Sequence, residues 1–338
     1  MCNFAPKNGS DVAARVIIAI LFAFAQVVFP LFVLKPLSEK PGDSYIAFIV
    51  TMCIWIVFSI LWIWAYVVTC WLDPGSLECE LKKYGYLVDG QLTNLPPELK
   101  ALPRCMKCGL PKPNRTHHCS QCGKCYFRFD HHCPIIGNCV ALNNMKAFML
   151  MMIYSFFLLL NMAGGCICSI IFNNSISKII LGLFAALFVL FGLSVGCFGF
   201  SYCPTVFFDR TTLENIAGIN ENAIEVKKSQ KFKDIFGYNC FTWFTPTKPP
   251  IDGFQWSGIT IEKKDINETI QDYVDYETQN DNISDNFNET NSHNSAAEIK
   301  KERSFNLDSE AHTEIDIPLH EQQTVPAELD NNDNDVVP

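Results

Sequence analysis

Between Cys105 and Cys139 the sequence places seven of its sixteen cysteines together with His117, His118, His131 and His132. They fall as Cys105-x2-Cys108, then His118-Cys119-x2-Cys122-x2-Cys125, then Asp130-His131-His132-Cys133, then Cys139. Thiolates and imidazoles separated by two residues suit tetrahedral zinc, because a tight turn can aim both at one ion and four such groups close a structural site. Seven Cys and four His exceed what two closed sites use, so three are left over. Neighbours such as His118 and Cys119 project in different directions and more easily serve different ions, which suggests two interleaved sites. By the same argument one of His131 and His132 binds metal and the other is free. Spacing leaves open which it is, and whether Cys133 is a ligand.

These groups must be held by something, and the flanking sequence is apolar. Four runs, Val16–Leu34, Tyr45–Leu72, Ala147–Phe172 and Ile179–Cys203, contain no charged residue. Each reaches the roughly 20 residues that cross a bilayer. The first is too long, and too poorly flanked by Lys7 and Arg15, for a removable signal peptide, and it reads as a signal anchor. Trp55, Trp62, Trp64 and Trp71 of the second run divide between interface anchoring and helix packing. Gln26 and Asn161 are expected to make hydrogen bonds between helices. The segment between the second and third runs, Asp73–Lys146, holds ten Lys and Arg, whereas Lys35–Ser44 and Asn173–Lys178 hold three Lys between them. Positive-inside bias therefore puts Asp73–Lys146 and both termini in the cytosol. A reducing compartment also favours metal binding over disulfides for clustered cysteines.

The expected fold is an all-α integral membrane protein: four transmembrane helices with a small cytosolic double-zinc cysteine-rich domain between helices 2 and 3. Its parts are 1–72 (N-terminus and helices 1 and 2), 73–146 (linker and cysteine-rich domain, core 103–148), 147–203 (helices 3 and 4), 204–261 (a cytosolic segment with an interfacial element) and an acidic tail, 262–338. The whole chain carries −9, but the tail has 20 acidic and 5 basic residues, so the other 261 residues are net positive by 6. Rich in Asn, Asp, Glu, Ser and Thr, the tail is expected to be disordered. Sequons stand at Asn173, Asn267, Asn282 and Asn288. Phe241-Thr242-Trp243-Phe244 and the nearby Lys227, Lys228, Lys231 and Lys233 suit a lipid surface.

The string Cys-x2-Cys-x9-His-Cys-x2-Cys-x2-Cys-x4-Asp-His-His-Cys-x5-Cys-x4-Asn-x3-Phe, filled at every position from Cys105 to Phe148, resembles the DHHC cysteine-rich domain of the protein palmitoyltransferases. Asp73-Pro74-Gly75 and Thr211-Thr212-Leu213-Glu214 are similar to that family's DPG and TTxE motifs. The resemblance implies one zinc on Cys105, Cys108, His118 and Cys125, and a second on Cys119, Cys122, His132 and Cys139. It implies that Cys133 carries the acyl group, with His131 as base and Asp130 orienting it, and that Thr212 packs near Asp130. Lys112, Arg115 and His117 match positions that face the phosphates of CoA, and Leu158 matches the end of the acyl cavity. The implied activity is transfer of a long-chain acyl group, palmitoyl foremost, from acyl-CoA to substrate-protein cysteines at the cytosolic membrane face. The implied setting is a eukaryotic endomembrane, with Golgi or ER favoured, or the plasma membrane. Three positions depart from the family: Ile135 stands where Trp is usual, Gly137 where Asn is frequent, and Lys231 where Asn is expected before Phe236-Gly237.

Other functions fit less well. A non-catalytic zinc scaffold needs no Asp130-His131 beside a spare Cys133. A transporter with no Asp, Glu, Lys or Arg in its spans lacks the groups for ion coupling. Nucleic acid is not an expected partner, because the ligands lack the helix spacing of a DNA-binding finger. The cysteines outside the loop read as small packing residues.

Overall fold

The computed structural model describes residues 9–172, 178–207, 211–216 and 228–264. Four helices, Gly9–Ser38, Asp43–Trp71, Met145–Phe172 and Lys178–Ser201, are long and apolar enough to cross a membrane. The first is not uniform. Pro30 has no N–H to give, and over Pro30–Leu34 the helix widens to a π turn in which Lys35 N reaches Pro30 O. The third helix is the hub of the bundle. Gly192, Gly196 and Gly199 of the fourth face Leu159, Phe156 and Met152 of the third so closely that a Cβ would lie 3.3, 2.6 and 2.9 Å from them. On another side, a Cβ on Gly165 would meet Phe29 at 2.9 Å and Thr51 at 3.1 Å. Lipid offers no hydrophobic drive between helices, so such close approach through small residues is what holds them.

Asn161 donates to Thr51 O at 3.2 Å, a bond between helices as expected. Gln26 does not follow suit: its Nε2 meets no acceptor among the described residues. Trp62 stacks on Phe22 with centroids 4.2 Å apart, and Trp55 lies 6.1 Å from Phe29, so these two pack helices together.

The segment between the second and third spans is not helical throughout, which corrects the all-α expectation. It contains three two-stranded hairpins, Leu87–Val88 with Gln91–Leu92, Thr116–Cys119 with Lys124–Phe127, and His131–Cys133 with Asn138–Val140. For the middle hairpin the reason lies in the ligand spacing. Cys-x2-Cys needs a tight turn, supplied where Gly109 N bonds Cys105 O and Gly123 N bonds Cys119 O, both at 2.8 Å. The strands leading into such turns pair with each other more readily than they wind into helix.

Asp73-Pro74-Gly75 fastens this unit to the second span. Asp73 Oδ1 accepts from Gly75 N and Ser76 N at 2.8 and 2.7 Å, while Gly75 O and Pro74 O accept from Phe127 N and Asn143 N. Asn138 Nδ2 donates to the carbonyls of Thr69, Cys70 and Leu72, which a helix end leaves without partners.

The chain then returns to the same unit. Phe254 packs edge-on against Tyr84 and Phe127, and Gly253 touches the Phe127 ring too closely to admit a Cβ. The ordered return passes the expected boundary at 261: Glu262 O accepts from Tyr86 Oη and Lys264 N donates to Tyr84 O. Helix Lys228–Phe236 and the turn after it dock on the third span through Lys146. That buried ammonium donates to Phe236 O, Thr242 O and Thr247 Oγ1 at 3.3, 3.3 and 2.7 Å. Asn173, Lys227, the side chain of Lys231, and the tail from Asp265 onward lie outside what is described.

Candidate active site

The two adjacent histidines are separated by strand geometry. His131–Cys133 is extended, so alternate side chains take opposite faces and His131 shares a face with Cys133 while His132 turns away. His132 pairs across the hairpin with Cys139. Its Nδ1 lies 3.8, 3.4 and 3.6 Å from the sulfurs of Cys119, Cys122 and Cys139. A second cluster forms in the neighbouring hairpin, where His118 pairs with Cys125. There His118 Nδ1 is 3.7 Å from both Cys105 Sγ and Cys125 Sγ, and Cys108 Sγ is 3.5 Å from Cys125 Sγ. In each group all four donor atoms lie within 4.8 Å of one another, close enough to hold a metal ion. Beyond His132, the Asp11 carboxylate lies 3.4 Å from Nε2, within ion-pair reach but out of line for a hydrogen bond.

On the opposite face, His131 Nδ1 is 2.7 Å from Asp130 Oδ2. Asp130 Oδ1 in turn accepts from Thr212 N at 2.7 Å, so both carboxylate oxygens are fixed and the group is 2% exposed. With Nδ1 taken, Nε2 is the nitrogen left for Cys133, which lies two residues on along the same strand face. Phe148 and Tyr202 wall in the imidazole at centroid distances of 5.7 and 6.1 Å. Burial opposes charge on His131, but Asp130 and Cys133 outweigh it and push its pKa up to about 9. Burial also opposes the Cys133 thiolate, and here His131, with the amides of Ile136 and Ile135, outweighs it and holds the thiol below its ordinary value. Groups placed in this way can act as nucleophile, base and orienting carboxylate.

Arg115 is placed differently from the expectation. Its Nε and Nη2 donate to Glu214 Oε1 and Oε2 at 2.6 and 2.8 Å, and the guanidinium lies 4.6 Å over Trp256. Both side chains are nearly buried, and the guanidinium holds the Thr211–Glu214 segment. Lys112 and His117 are half-buried. Leu158 is buried with Phe29, Val33, Leu34 and Leu37 of the first span and Leu181 of the fourth. Ile135 is 56% exposed beside Cys133. Reading the sequence gave Arg15 no role here, although it hydrogen-bonds the turn after Cys133. The available signal was Asp11 and Arg15 one helical turn apart at the mouth of an apolar run.

Fold and site together define a multi-pass membrane enzyme built around a thiol. Comparison with known proteins gives the family. Residues 100–224 match the DHHC palmitoyltransferase domain. The chain is 28% identical to human palmitoyltransferase ZDHHC20 over 60% of its length and 69% of that protein. It is 30% identical to probable protein S-acyltransferase 13 of Arabidopsis thaliana, over 60% of its length and 70% of that protein. The chain belongs to the DHHC palmitoyltransferase family and is an acyltransferase.

Proposed function

We propose that this protein moves a long-chain acyl group, palmitoyl foremost, from acyl-CoA onto cysteines of other proteins through a thioester on Cys133. The Cys133 thiolate attacks the acyl carbonyl, the C–S bond to CoA breaks, and the CoA sulfur takes the proton held by His131. A substrate thiol then gives its proton to His131 and attacks the thioester, freeing Cys133. Asp130 keeps the His131 tautomer fixed through both steps and stabilises the imidazolium. Lys112 and His117 serve the CoA phosphates. Residues 73–146 and both termini face the cytosol, so acceptor cysteines lie at that membrane surface, in the Golgi or ER by preference.

Each four-residue cluster holds a zinc ion: Cys105, Cys108, His118 and Cys125 one, Cys119, Cys122, His132 and Cys139 the other. Donor separations of 3.4–3.8 Å agree with the edges of a zinc tetrahedron, about 3.5–3.8 Å for bonds of about 2.0–2.3 Å. Closed sites of this kind supply folding energy and leave no open position for chemistry.

The observation that carries the reading is His131 bonded to Asp130 on the strand face that it shares with Cys133, turned away from His132. The test is to incubate purified protein in detergent with labelled acyl-CoA. Hydroxylamine-sensitive label on Cys133, lost on addition of a cysteine-bearing acceptor, is the expected result. Label absent from the protein while the acceptor is still acylated would point to direct transfer and sink the two-step reading.

A further inference from the structure

The amino end of the first span carries two buried charged residues, Asp11 and Arg15, 3% and 8% exposed. A helix end facing the cytosol has no need to bury them, since water would serve both. Arg15 is instead held by protein. Its Nε donates to Ile136 O at 2.6 Å, and its Nη2 donates to Gly137 O at 2.6 Å and to Cys70 O at 3.0 Å. The guanidinium also lies 5.4 Å from the centroid of Trp71. One rigid fork thus joins three membrane-side elements: the first span, the carboxyl end of the second, and the turn that follows Cys133.

That turn is Pro134–Gly137, closed by Gly137 N to Pro134 O at 3.1 Å. It links the two strands of the catalytic hairpin and begins at the residue next to Cys133. The turn therefore sets where Cys133 leaves the strand, and Arg15 grips it by two carbonyls. Gly137 is shaped to this grip. Its φ is +57°, and a Cβ there would lie 2.6 Å from Arg15 Nε and 3.0 Å from Asp11 Cβ.

We infer that Arg15 is a positioning residue for Cys133, acting through the carbonyls of Ile136 and Gly137 to hold the turn that starts beside the thiol. The inference rests on Cys133 being the nucleophile, but its test does not need acyl transfer. Full-length protein in detergent is treated with iodoacetamide, and alkylation of Cys133 is followed by peptide mass spectrometry, giving a rate constant and a plateau. Arg15→Gln should slow alkylation by something on the order of 10- to 100-fold, as misplacement of a reacting group by about 1 Å can. The plateau and the zinc content should match the parent, which a merely destabilised fold would not allow. Arg15→Lys should recover part of the rate, because an ammonium can reach the carbonyls without matching the fork. Gly137→Ala should slow alkylation by a similar factor, and the double variant Arg15→Gln/Gly137→Ala should be no slower than the slower single. An unchanged rate in Arg15→Gln, a fall in plateau and zinc together, or multiplicative losses in the double variant would each overturn the inference. If no variant, nor the parent, forms an acyl thioester, the proposed function fails while these alkylation results still stand.

Discussion

At the scale of single residues, the division of labour within Asp130-His131-His132-Cys133 carries the most consequence. His131→Ala should leave metal content and melting temperature near those of the parent, yet slow acylation of Cys133 by roughly 10²–10⁴-fold. His132→Ala should instead lose zinc from one site and melt earlier, with activity falling as a result. Cys133→Ser should keep both zincs and form no thioester. Zinc stoichiometry and thermal unfolding beside the self-acylation rate separate the three; zinc lost from His131→Ala and kept in His132→Ala would reverse the assignment. The pH dependence has a definite sign. The Cys133 thiol is held low and the His131 imidazole is raised to about 9, so between those values the pair exists as thiolate and imidazolium. Alkylation of Cys133 should therefore persist as pH falls below the ordinary thiol value of about 8.5. In His131→Ala the chief lowering influence is gone and burial remains, so the profile should move above that value.

Secondary-structure elements decide what the sequence left open. The apolar runs announced the last three spans to within two residues, because length and lack of charge are local properties, while the first span begins seven residues earlier, past the charged Arg15 and Asp11. The strand His131–Cys133 was not announced. Three residues give too short a pattern to read, and only the extended backbone shows which histidine faces the metal ligands. The Arg115–Glu214 pair was hidden for a different reason: the partners are 99 residues apart, and a buried ion pair leaves no periodic trace. The Cys-x2-Cys pairs were legible, since two-residue spacing is itself the geometry of the turn, whereas the division into two sets of four came from the family resemblance.

The third span also carries a prediction. Leu158 lies ten residues beyond Phe148, hence about 15 Å deeper at 1.5 Å per residue, among residues of the first and fourth spans. If it closes the acyl cavity, Leu158→Ala should shift preference toward longer acyl-CoAs. Each added CH₂ that becomes buried contributes about 0.8 kcal/mol, roughly fourfold in affinity. A chain-length profile unchanged from the parent would place the floor elsewhere.

For the whole molecule, two statements can be checked. Elemental analysis should give two zincs per chain, and prolonged chelation should unfold the cysteine-rich unit, because metal binding there is folding free energy. One zinc or none in active protein would break the proposed assignment. The acidic tail should be dispensable for self-acylation, but the cut must respect the structure. Truncation after Lys264 keeps Tyr86 Oη on Glu262 O and Lys264 N on Tyr84 O, whereas truncation after Ile261 removes both. The longer form should match the parent in melting temperature, and the shorter should be less stable by about 1 kcal/mol for each bond lost. A longer form that folds but no longer acylates itself would assign the tail a part in the chemistry.

The catalytic strand is three residues long, and its hairpin partner fixes it at Cys139. Inserting one residue between Asp130 and His131 would exchange the two faces, turning His132 away from Cys139 and His131 toward it. Most protein segments tolerate some substitutions better than others; this one tolerates substitution and length change by different rules. A point change at His131 costs one function, while a single-codon slip there removes two, and no repacking nearby can restore the frame. Natural variation across this stretch is therefore expected to consist of replacements, with its length held constant.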